Sequence, residues 1–300
     1  MPDNPQAAPR LARTGLRPCH LSFRSVLNAG GLVRVAGAHT ALGAVIAEQA
    51  GFGAVWASSF EISAARCLPD ASLLSMNEYL RVAAEMQKVL SIPVIADCDT
   101  GYGNNLNVAH MVTEYAGAGI TAVCIEDQTF PKINSYADTT HDLLDITSFA
   151  SKLTTAKESQ PSPDFFVIAR TEALIAGRDV AEALRRCRAY ADAGADSVLV
   201  HSKSTSHDQV AEFLDQWDGR VPVTIVPTTY SHWHADEAAR AGVSVVIYAN
   251  QGLRTIVKAL QGTYAQLLKD GCSAGLDDQI ASVREVFDLQ HLDAWQGLQR

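Results

Sequence analysis

The chain has 300 residues, of which 47% are hydrophobic and 19% are charged, a composition typical of a globular protein with a large core. Its formal net charge of −9 argues against nucleic acid or an anionic membrane as the main partner, because both bind basic surfaces. No apolar run approaches the roughly 18 residues that a membrane span needs, and the six cysteines form no CxxC pair. Since no secretory segment precedes the first domain-like stretch, we expect a cytoplasmic protein with reduced thiols.

The start of the chain differs from the rest. Residues 1–22 are rich in Pro, Arg and Ala, which predicts a loose arm or an irregular lid. Residues 23–300 are expected to form one domain, in which helical patterns separate most of the apolar, β-rich runs. These runs predict eight strands, near 33–37, 54–58, 93–97, 121–126, 165–170, 197–201, 222–226 and 244–248.

A repeated pattern, AGxxxV, organises this domain. Its four copies begin at Ala50, Ala118, Ala193 and Ala241. Each copy follows a helical stretch and opens a strand candidate, so we interpret it as a helix ended by a glycine with positive φ, then a short loop into a buried parallel strand. Eight such alternations predict a closed (β/α)₈ barrel. The main alternative is a doubly wound open sheet, but the first strand is not followed by the GxGxxG of its dinucleotide-binding form.

Two helical stretches, 252–270 and 276–290, follow the eighth strand, one more than a barrel needs. The second stretch carries an apolar set that has to be buried on some surface: Ile280, Val283, Val286, Phe287 and Leu289. A neighbouring subunit is one such surface.

Chemistry in such a barrel is expected where the strands end, because the βα loops meet at the carboxyl-terminal face. The strand ends supply a hydroxyl-rich segment, several acids and a group of cations or donors, with Asp70 in the loop after the second strand. In chain order they are Trp56, Ser58, Ser59, Asp97, Asp99, Glu126, Asp127, Arg170, Glu172, His201, Ser202 and Lys203.

Converging acids repel one another and destabilise the fold unless a cation neutralises them. A lone acid at a strand end is equally well explained as a helix cap, but the number of acids here favours a cation. Ligands that are all oxygen indicate Mg²⁺ or Mn²⁺ rather than zinc. Arg170, Lys132 and His201 add positive charge or donors around the ion, which is the equipment for stabilising a carboxylate, an enolate or a phosphoryl group. We therefore expect a small anionic substrate.

Seven motifs resemble the phosphoenolpyruvate mutase branch of the isocitrate lyase superfamily. In order they are VWASSFEISA, PDASLLS, IADCDTGYGN, IEDQTFPKINS, VIARTEALIAG, DAGADSVLVHSK and VPVTIVPTTY, and the resemblance runs from about residue 24 to about 290. The resemblance implies a (β/α)₈ barrel that swaps its last helix, here about 276–290, with a partner subunit in a homodimer or homotetramer. It also implies Mg²⁺ as cofactor and 2-oxo acids or their enol forms as substrates.

The same resemblance implies a role for each matching residue. Asp97 is expected to bind Mg²⁺ directly, while Asp70, Asp99 and Glu126 hold its waters. Ser58 and the backbone amides of Ser59 and Phe60 are expected to hold the pyruvyl carboxylate and oxo group, with Trp56 as a wall. The phosphoryl side is assigned to Arg170 and His201, and a gating loop at about 127–145 carries Lys132, Asn134 and Ser135.

The gating loop separates the activities of the superfamily. Its carbon–carbon lyases carry Lys-Arg-Cys-Gly-His, whereas this chain has Lys132-Ile133-Asn134-Ser135 and lacks the thiol. Phosphonopyruvate hydrolases typically have Thr at the Asn position, so Asn134 favours the mutase. Gln128 departs from the mutase pattern, which has Lys there.

The sequence therefore predicts an enzyme that interconverts phosphoenolpyruvate and 3-phosphonopyruvate. The alternatives are a phosphonopyruvate hydrolase, a carbon–carbon lyase and a non-catalytic barrel that binds pyruvate-like ligands. Cys98, between the two acids of the third strand, is expected to point away from them into the packing, because side chains alternate along a strand.

Overall fold

Eight parallel strands close into a barrel in sequence order, and β1 pairs with both β2 and β8. This is seen in a computed structural model that describes residues 21–299, so residues 1–20 of the predicted N-terminal arm lie outside the described residues. The (β/α)₈ prediction is confirmed, and each predicted strand end lies within one residue of the observed one. The strands are β1 Val33–Ala38, β2 Ala54–Ala57, β3 Val94–Asp97, β4 Ala122–Glu126, β5 Phe166–Thr171, β6 Ser197–Val200, β7 Val223–Ile225 and β8 Val243–Tyr248.

Helices surround the barrel and connect its strands. They are α1 Phe23–Asn28, α2 Ala41–Gln49, α3 Ser59–Ala64, α4 Met76–Gln87, α5 Asn105–Gly117, α6 Ile146–Ser159, α7 Val180–Asp192, α8 Asp208–Gln216, α9 Ala235–Arg240, α10 Gln251–Asp270, α11 Val283–Leu289 and α12 Leu292–Gln296. None of the helices within residues 21–299 combines the length and apolar character that a membrane span requires.

The four AGxxxV repeats occupy the predicted helix-to-strand turns. Their glycines, Gly51, Gly119, Gly194 and Gly242, have φ values of 92°, 86°, 99° and 103°. A side chain at this φ is strained, so glycine ends the helix and lets the chain turn directly into the next strand.

Two kinds of apolar packing hold the barrel: side chains that fill its interior, and an outer core between the strands and the surrounding helices. Inside it, Trp56, Ile95, Phe166 and Leu199 are among the buried side chains that fill the interior. Phe23 of α1 joins this interior cluster and meets Phe166 edge to face, with ring centroids 5.1 Å apart. The Phe23 amide donates to Thr121 Oγ1, just before β4, so α1 covers the amino-terminal end of the barrel. The carboxyl-terminal end is left to the loops.

The C-terminal helices carry exposed apolar side chains. Leu253 is the buried residue of α10, whereas Ile256, Val257, Leu260, Tyr264 and Leu268 are exposed. The expectation of one helix over 276–290 is wrong in its bounds. A 3₁₀ turn covers Ala274–Leu276, and α11 starts only after Ser282, whose hydroxyl and Glu285 form a capping box. Val283 and Phe287 of α11 are also exposed.

Candidate active site

A cavity of about 270 Å³ opens at the carboxyl-terminal end of the barrel. Ten of the predicted site residues line it: Trp56, Ser58, Phe60, Asp70, Asp97, Lys132, Asn134, Ser135, Arg170 and His201. The other three, Ser59, Asp99 and Glu126, are buried and bonded to this set. Six further lining residues were not predicted from the sequence: Tyr136, Val226, Thr228, Ala249, Asn250 and Arg254.

The turn after β3 directs two acids toward the mouth of the barrel. Asp97 is the last residue of β3, and Asp99 has a left-handed backbone with φ of 49°. Asp97 Oδ2 accepts hydrogen bonds from the hydroxyl (2.8 Å) and the amide (3.3 Å) of Ser59. The Ser59 amide, predicted to bind substrate, therefore faces Asp97 in this structure. Cys98 between the acids packs with the outer core, as predicted.

Lys132 is buried in the gating loop among carboxylates. Its ammonium lies 3.0 Å from Asp70 Oδ2, 2.9 Å from Asp99 Oδ1 and 3.4 Å from Ser59 Oγ. Burial disfavours the charged ammonium, but Asp99 and Asp70 raise the pKa of Lys132 well above its usual value. Burial raises the pKa of Asp99 to about 6, although Lys132 opposes that shift. The pair holds the loop against the barrel.

Asn134 also binds Asp70, through two hydrogen bonds donated by its uncharged amide groups. Its side-chain amide donates to Asp70 Oδ2 at 2.8 Å, and its backbone N–H donates to the Asp70 carbonyl at 2.9 Å. The loop is thereby fixed over the cavity through Asp70, which lies in the neighbouring loop between α3 and α4.

Arg170 and His201 form the opposite part of this network. Arg170 donates to Glu172 and to the Ser135 hydroxyl, and its Nε lies 3.3 Å from Glu126 Oε2. Glu172 is 2.7 Å from His201 Nε2. Burial alone would raise the pKa of Glu172, but Arg170 and His201 outweigh burial and lower it. Burial lowers the pKa of His201. Arg170 is therefore a cation held in place by carboxylates, with the His201 imidazole beside it.

Gln128 occupies the position where the resemblance led us to expect Lys. Its amide donates to Glu126 Oε1 at 3.0 Å, and its oxygen is 3.4 Å from His141 Nδ1. Burial raises the pKa of Glu126 to about 8, with Arg170 opposing the shift. A neutral amide thus orients Glu126 without adding a charge.

The base of the gating loop is tied together by one buried network. Asp127 Oδ2 accepts from Tyr190 (2.6 Å), Thr171 (2.9 Å) and Arg186 (3.1 Å). Arg186 also donates to the carbonyl of Leu144, whose amide donates to the Asp127 carbonyl at 2.8 Å. Both ends of the loop are therefore held by α7, which carries Arg186 and Tyr190.

The acids at this end suit a hard divalent cation in their chemistry. Asp70 Oδ1 and Asp99 Oδ2 are buried and accept no hydrogen bond, whereas Asp99 Oδ1 and Glu126 Oε2 are paired with Lys132 and Arg170. Within residues 21–299, however, no three His, Cys, Asp or Glu side chains are grouped as a metal site. The Lys132 ammonium lies between Asp70 and Asp99. The predicted ligands share one end of the barrel but are not arranged around one point.

Comparison with known proteins assigns the family. The sequence model for phosphoenolpyruvate phosphomutase matches residues 23–268. A phosphonopyruvate hydrolase of Variovorax sp. (strain Pal2) is 42% identical, over 90% of this chain and 93% of its own.

Two solved structures share the fold. The phosphoenolpyruvate phosphomutase of Streptomyces platensis subsp. rosaceus has a TM-score of 0.91 at 50% identity, covering 93% of this chain and 97% of its own. A phosphonopyruvate hydrolase in complex with oxalate and Mg²⁺ has a TM-score of 0.87 at 40% identity, covering 93% and 96%. The chain therefore belongs to the phosphoenolpyruvate phosphomutase family, within the phosphoenolpyruvate mutase/isocitrate lyase superfamily.

Proposed function

We propose that this chain is a phosphoenolpyruvate phosphomutase, which interconverts phosphoenolpyruvate and 3-phosphonopyruvate. The observation that carries the proposal is the closed loop: Lys132 is 4% exposed, and Asn134 bonds to Asp70 through both backbone and side chain. A mutase has to detach the phosphoryl group from carbon and return it to oxygen of the same pyruvate enolate. Water has to be kept from the group in between, and a loop held over the pocket does this.

The substrate contacts are proposed from the family resemblance. We assign the pyruvyl carboxylate and oxo group to Ser58 and the amides of Ser59 and Phe60, with Trp56 as the wall; the Ser59 amide has to give up its bond to Asp97 for this contact. The phosphoryl group is assigned to Arg170, His201, Asn134 and Ser135. Asn134, Ser135 and Arg170 donate to Asp70 and Glu172 in this structure, so they have to redirect hydrogen bonds to the phosphoryl oxygens when substrate binds, where they would stabilise developing charge.

Magnesium is proposed as the cofactor. Asp97 would hold the ion directly, and Asp70, Asp99 and Glu126 would hold its waters. When bound, Mg²⁺ supplies positive charge that polarises the oxo group and stabilises an enolate. The buried acid oxygens that accept no hydrogen bond support this assignment, and a structural neighbour holds Mg²⁺ with oxalate.

Phosphonopyruvate hydrolysis to pyruvate and phosphate is the second candidate. It is favoured by a relative at 42% identity that carries this name. The lyase candidate is disfavoured because the loop segment from Lys132 to Ser135 contains no cysteine.

Assembly and location are also proposals. The exposed apolar faces of α10 and α11 suit a helix swap with a second copy in a homodimer or homotetramer. The five cysteines within the described residues are free, which suits a reducing cytoplasm.

Phosphorus NMR of the purified protein with phosphonopyruvate and Mg²⁺ tests the proposed activity. We expect the phosphoenolpyruvate resonance to grow as the phosphonate resonance falls. Free phosphate as the main product would show that the protein is a hydrolase. An unchanged spectrum would show that it has neither activity and would favour a non-catalytic barrel that binds pyruvate-like ligands. The same sample with EDTA is the control for the metal.

A further inference from the structure

One wall of the active-site cavity has no role in the function proposed above. It is formed by Asn250, which follows β8, and Arg254 in the first turn of α10. In a closed barrel of eight strands in sequence order, β8 lies across from β4, which carries Glu126. This wall therefore faces the acidic side of the site.

Three Lys or Arg side chains of residues 21–299 line the cavity, and two of them are already paired with acids. Lys132 pairs with Asp70 and Asp99, and Arg170 pairs with Glu126 and Glu172. Arg254 forms no ion pair within residues 21–299. Its side chain makes one hydrogen bond there, to Asn250 Oδ1 at 3.5 Å. Arg254 is thus the cavity cation whose charge is available to a ligand.

Asn250 adds a second available donor at the same place. Asn250 lines the cavity and is 8% exposed. Its side-chain amide nitrogen donates no hydrogen bond within the described part of the chain. This nitrogen is not fully buried but keeps some exposure at the cavity wall, so an oxygen of a ligand can accept a hydrogen bond from it.

Packing fixes the position of this wall. The Ala249 carbonyl lies so close to Gly37 of β1 that a Cβ there would come within 2.2 Å of its oxygen. Gly252 packs near the Gly37 carbonyl, and Leu253 is buried. The first turn of α10 is therefore seated on β1, which holds the backbone of Arg254 at the cavity edge.

We propose that Arg254 and Asn250 form an anion subsite for the phosphoryl group of the substrate. A phosphoryl group is close to dianionic, and the planar guanidinium donates to its oxygens in pairs. Arg170 and Lys132 are each balanced by two acids, so the substrate gains most from the unbalanced cation. The inference rests on the proposed function, because it names a contact to the same substrate.

Kinetics of Arg254→Ala with phosphonopyruvate and Mg²⁺ test the subsite. We expect KM to rise at least about tenfold with kcat within about threefold, the pattern of a contact made equally in ground and transition states. The KM of Arg254→Lys is expected to lie between those of wild type and Arg254→Ala, because Lys keeps the positive charge but lacks the paired N–H donors of the guanidinium. Lys258→Ala is the matched control: it removes an exposed cation one turn further along α10, outside the cavity lining, and should leave KM within twofold.

Binding of oxalate with Mg²⁺, followed by calorimetry, identifies the group that the subsite holds. Oxalate has carboxylates but no phosphoryl group, so Arg254→Ala should change its affinity by less than twofold. An equal loss for oxalate would overturn the phosphoryl assignment. A KM within twofold of wild type, or the same effect from Lys258→Ala, would overturn the subsite itself.

Failure of the proposed function would be visible separately. If the wild-type protein does not turn over phosphonopyruvate, calorimetric titration with phosphonopyruvate and Mg²⁺ decides instead. A tenfold weaker affinity in Arg254→Ala supports the subsite, and an unchanged affinity, or no binding to wild type, rejects it. Melting temperatures confirm that each variant is folded.

Discussion

The carboxyl end of the barrel and the C-terminal helices place opposite kinds of side chain in unusual surroundings. At the barrel end, Asp70, Asp99, Lys132 and Glu172 are charged and buried. On α10, large apolar residues such as Leu268 are exposed, Leu268 at 88%. Buried charges cost free energy and mark functional sites, whereas exposed apolar faces mark association surfaces. We therefore propose that the first region carries the chemistry and that the second is an association surface.

Removing the proposed metal ligand should have the largest effect on the chemical region alone. Asp97→Ala is expected to lower turnover of phosphonopyruvate at least about a thousandfold, or ~4 kcal/mol, because the enolate loses its counter-charge. Thermal melts with and without Mg²⁺ provide the second readout. Wild type should gain melting temperature with the metal, and the variant should not.

Asp138→Ala is the control for this variant, because it removes an exposed acid from the same gating loop. It should keep both activity and the metal-dependent rise in melting temperature. If the melting temperature of Asp97→Ala still rises with Mg²⁺, Asp97 is not a ligand of the metal.

Truncation after Gly275 should break the other side of the comparison. It deletes α11 and α12, so any surface that they cover on a partner copy becomes exposed, and we expect monomers or aggregates in light scattering after gel filtration. Truncation after Gln296 is the control and should preserve assembly. A soluble, active oligomer from the longer deletion would refute the helix swap.

Breaking the base of the gating loop should have a smaller effect, on stability. Arg186→Met leaves Asp127 buried without its cation, which should lower the free energy of unfolding by about 3 kcal/mol in urea titrations. Arg185→Met is the matched control, because Arg185 is an exposed neighbour on the same helix. It should change stability by less than about 0.5 kcal/mol. If both variants lower the free energy of unfolding equally, the buried network of Asp127 and Arg186 does not contribute the stability proposed for it.

The fold was predictable because one local signal repeats. AGxxxV places a glycine with positive φ before β2, β4, β6 and β8, and apolar runs supply the strands between them. The bounds of the last helices were not predictable in this way. Ser282 and Glu285 form a capping box that starts α11 later than the apolar pattern suggests.

The site residues at strand ends could be predicted from the sequence. The hydrogen bonds between side chains of different loops and strands could not. Asp97, Glu126, Arg170 and His201 are at or beside strand ends, and ten predicted residues line one cavity. The bond from Gln128 to Glu126 required coordinates, because it depends on how the loop folds back. Arg254 was missed, although a basic residue one helical turn after Asn250, the polar residue that follows β8, was the available signal.

The most direct test of the account is the ratio of phosphate to phosphoenolpyruvate released from phosphonopyruvate by wild type and by Asn134→Ala. Phosphorus NMR under initial-rate conditions measures both products. We expect wild type to release phosphoenolpyruvate almost alone. The variant, whose loop has lost the 2.8 Å bond to Asp70, should turn over at least about tenfold more slowly, or ~1.4 kcal/mol, with a larger share of phosphate. Phosphate as the main wild-type product, or an unchanged rate and ratio in the variant, would contradict the claim that the closed loop keeps water from the phosphoryl group.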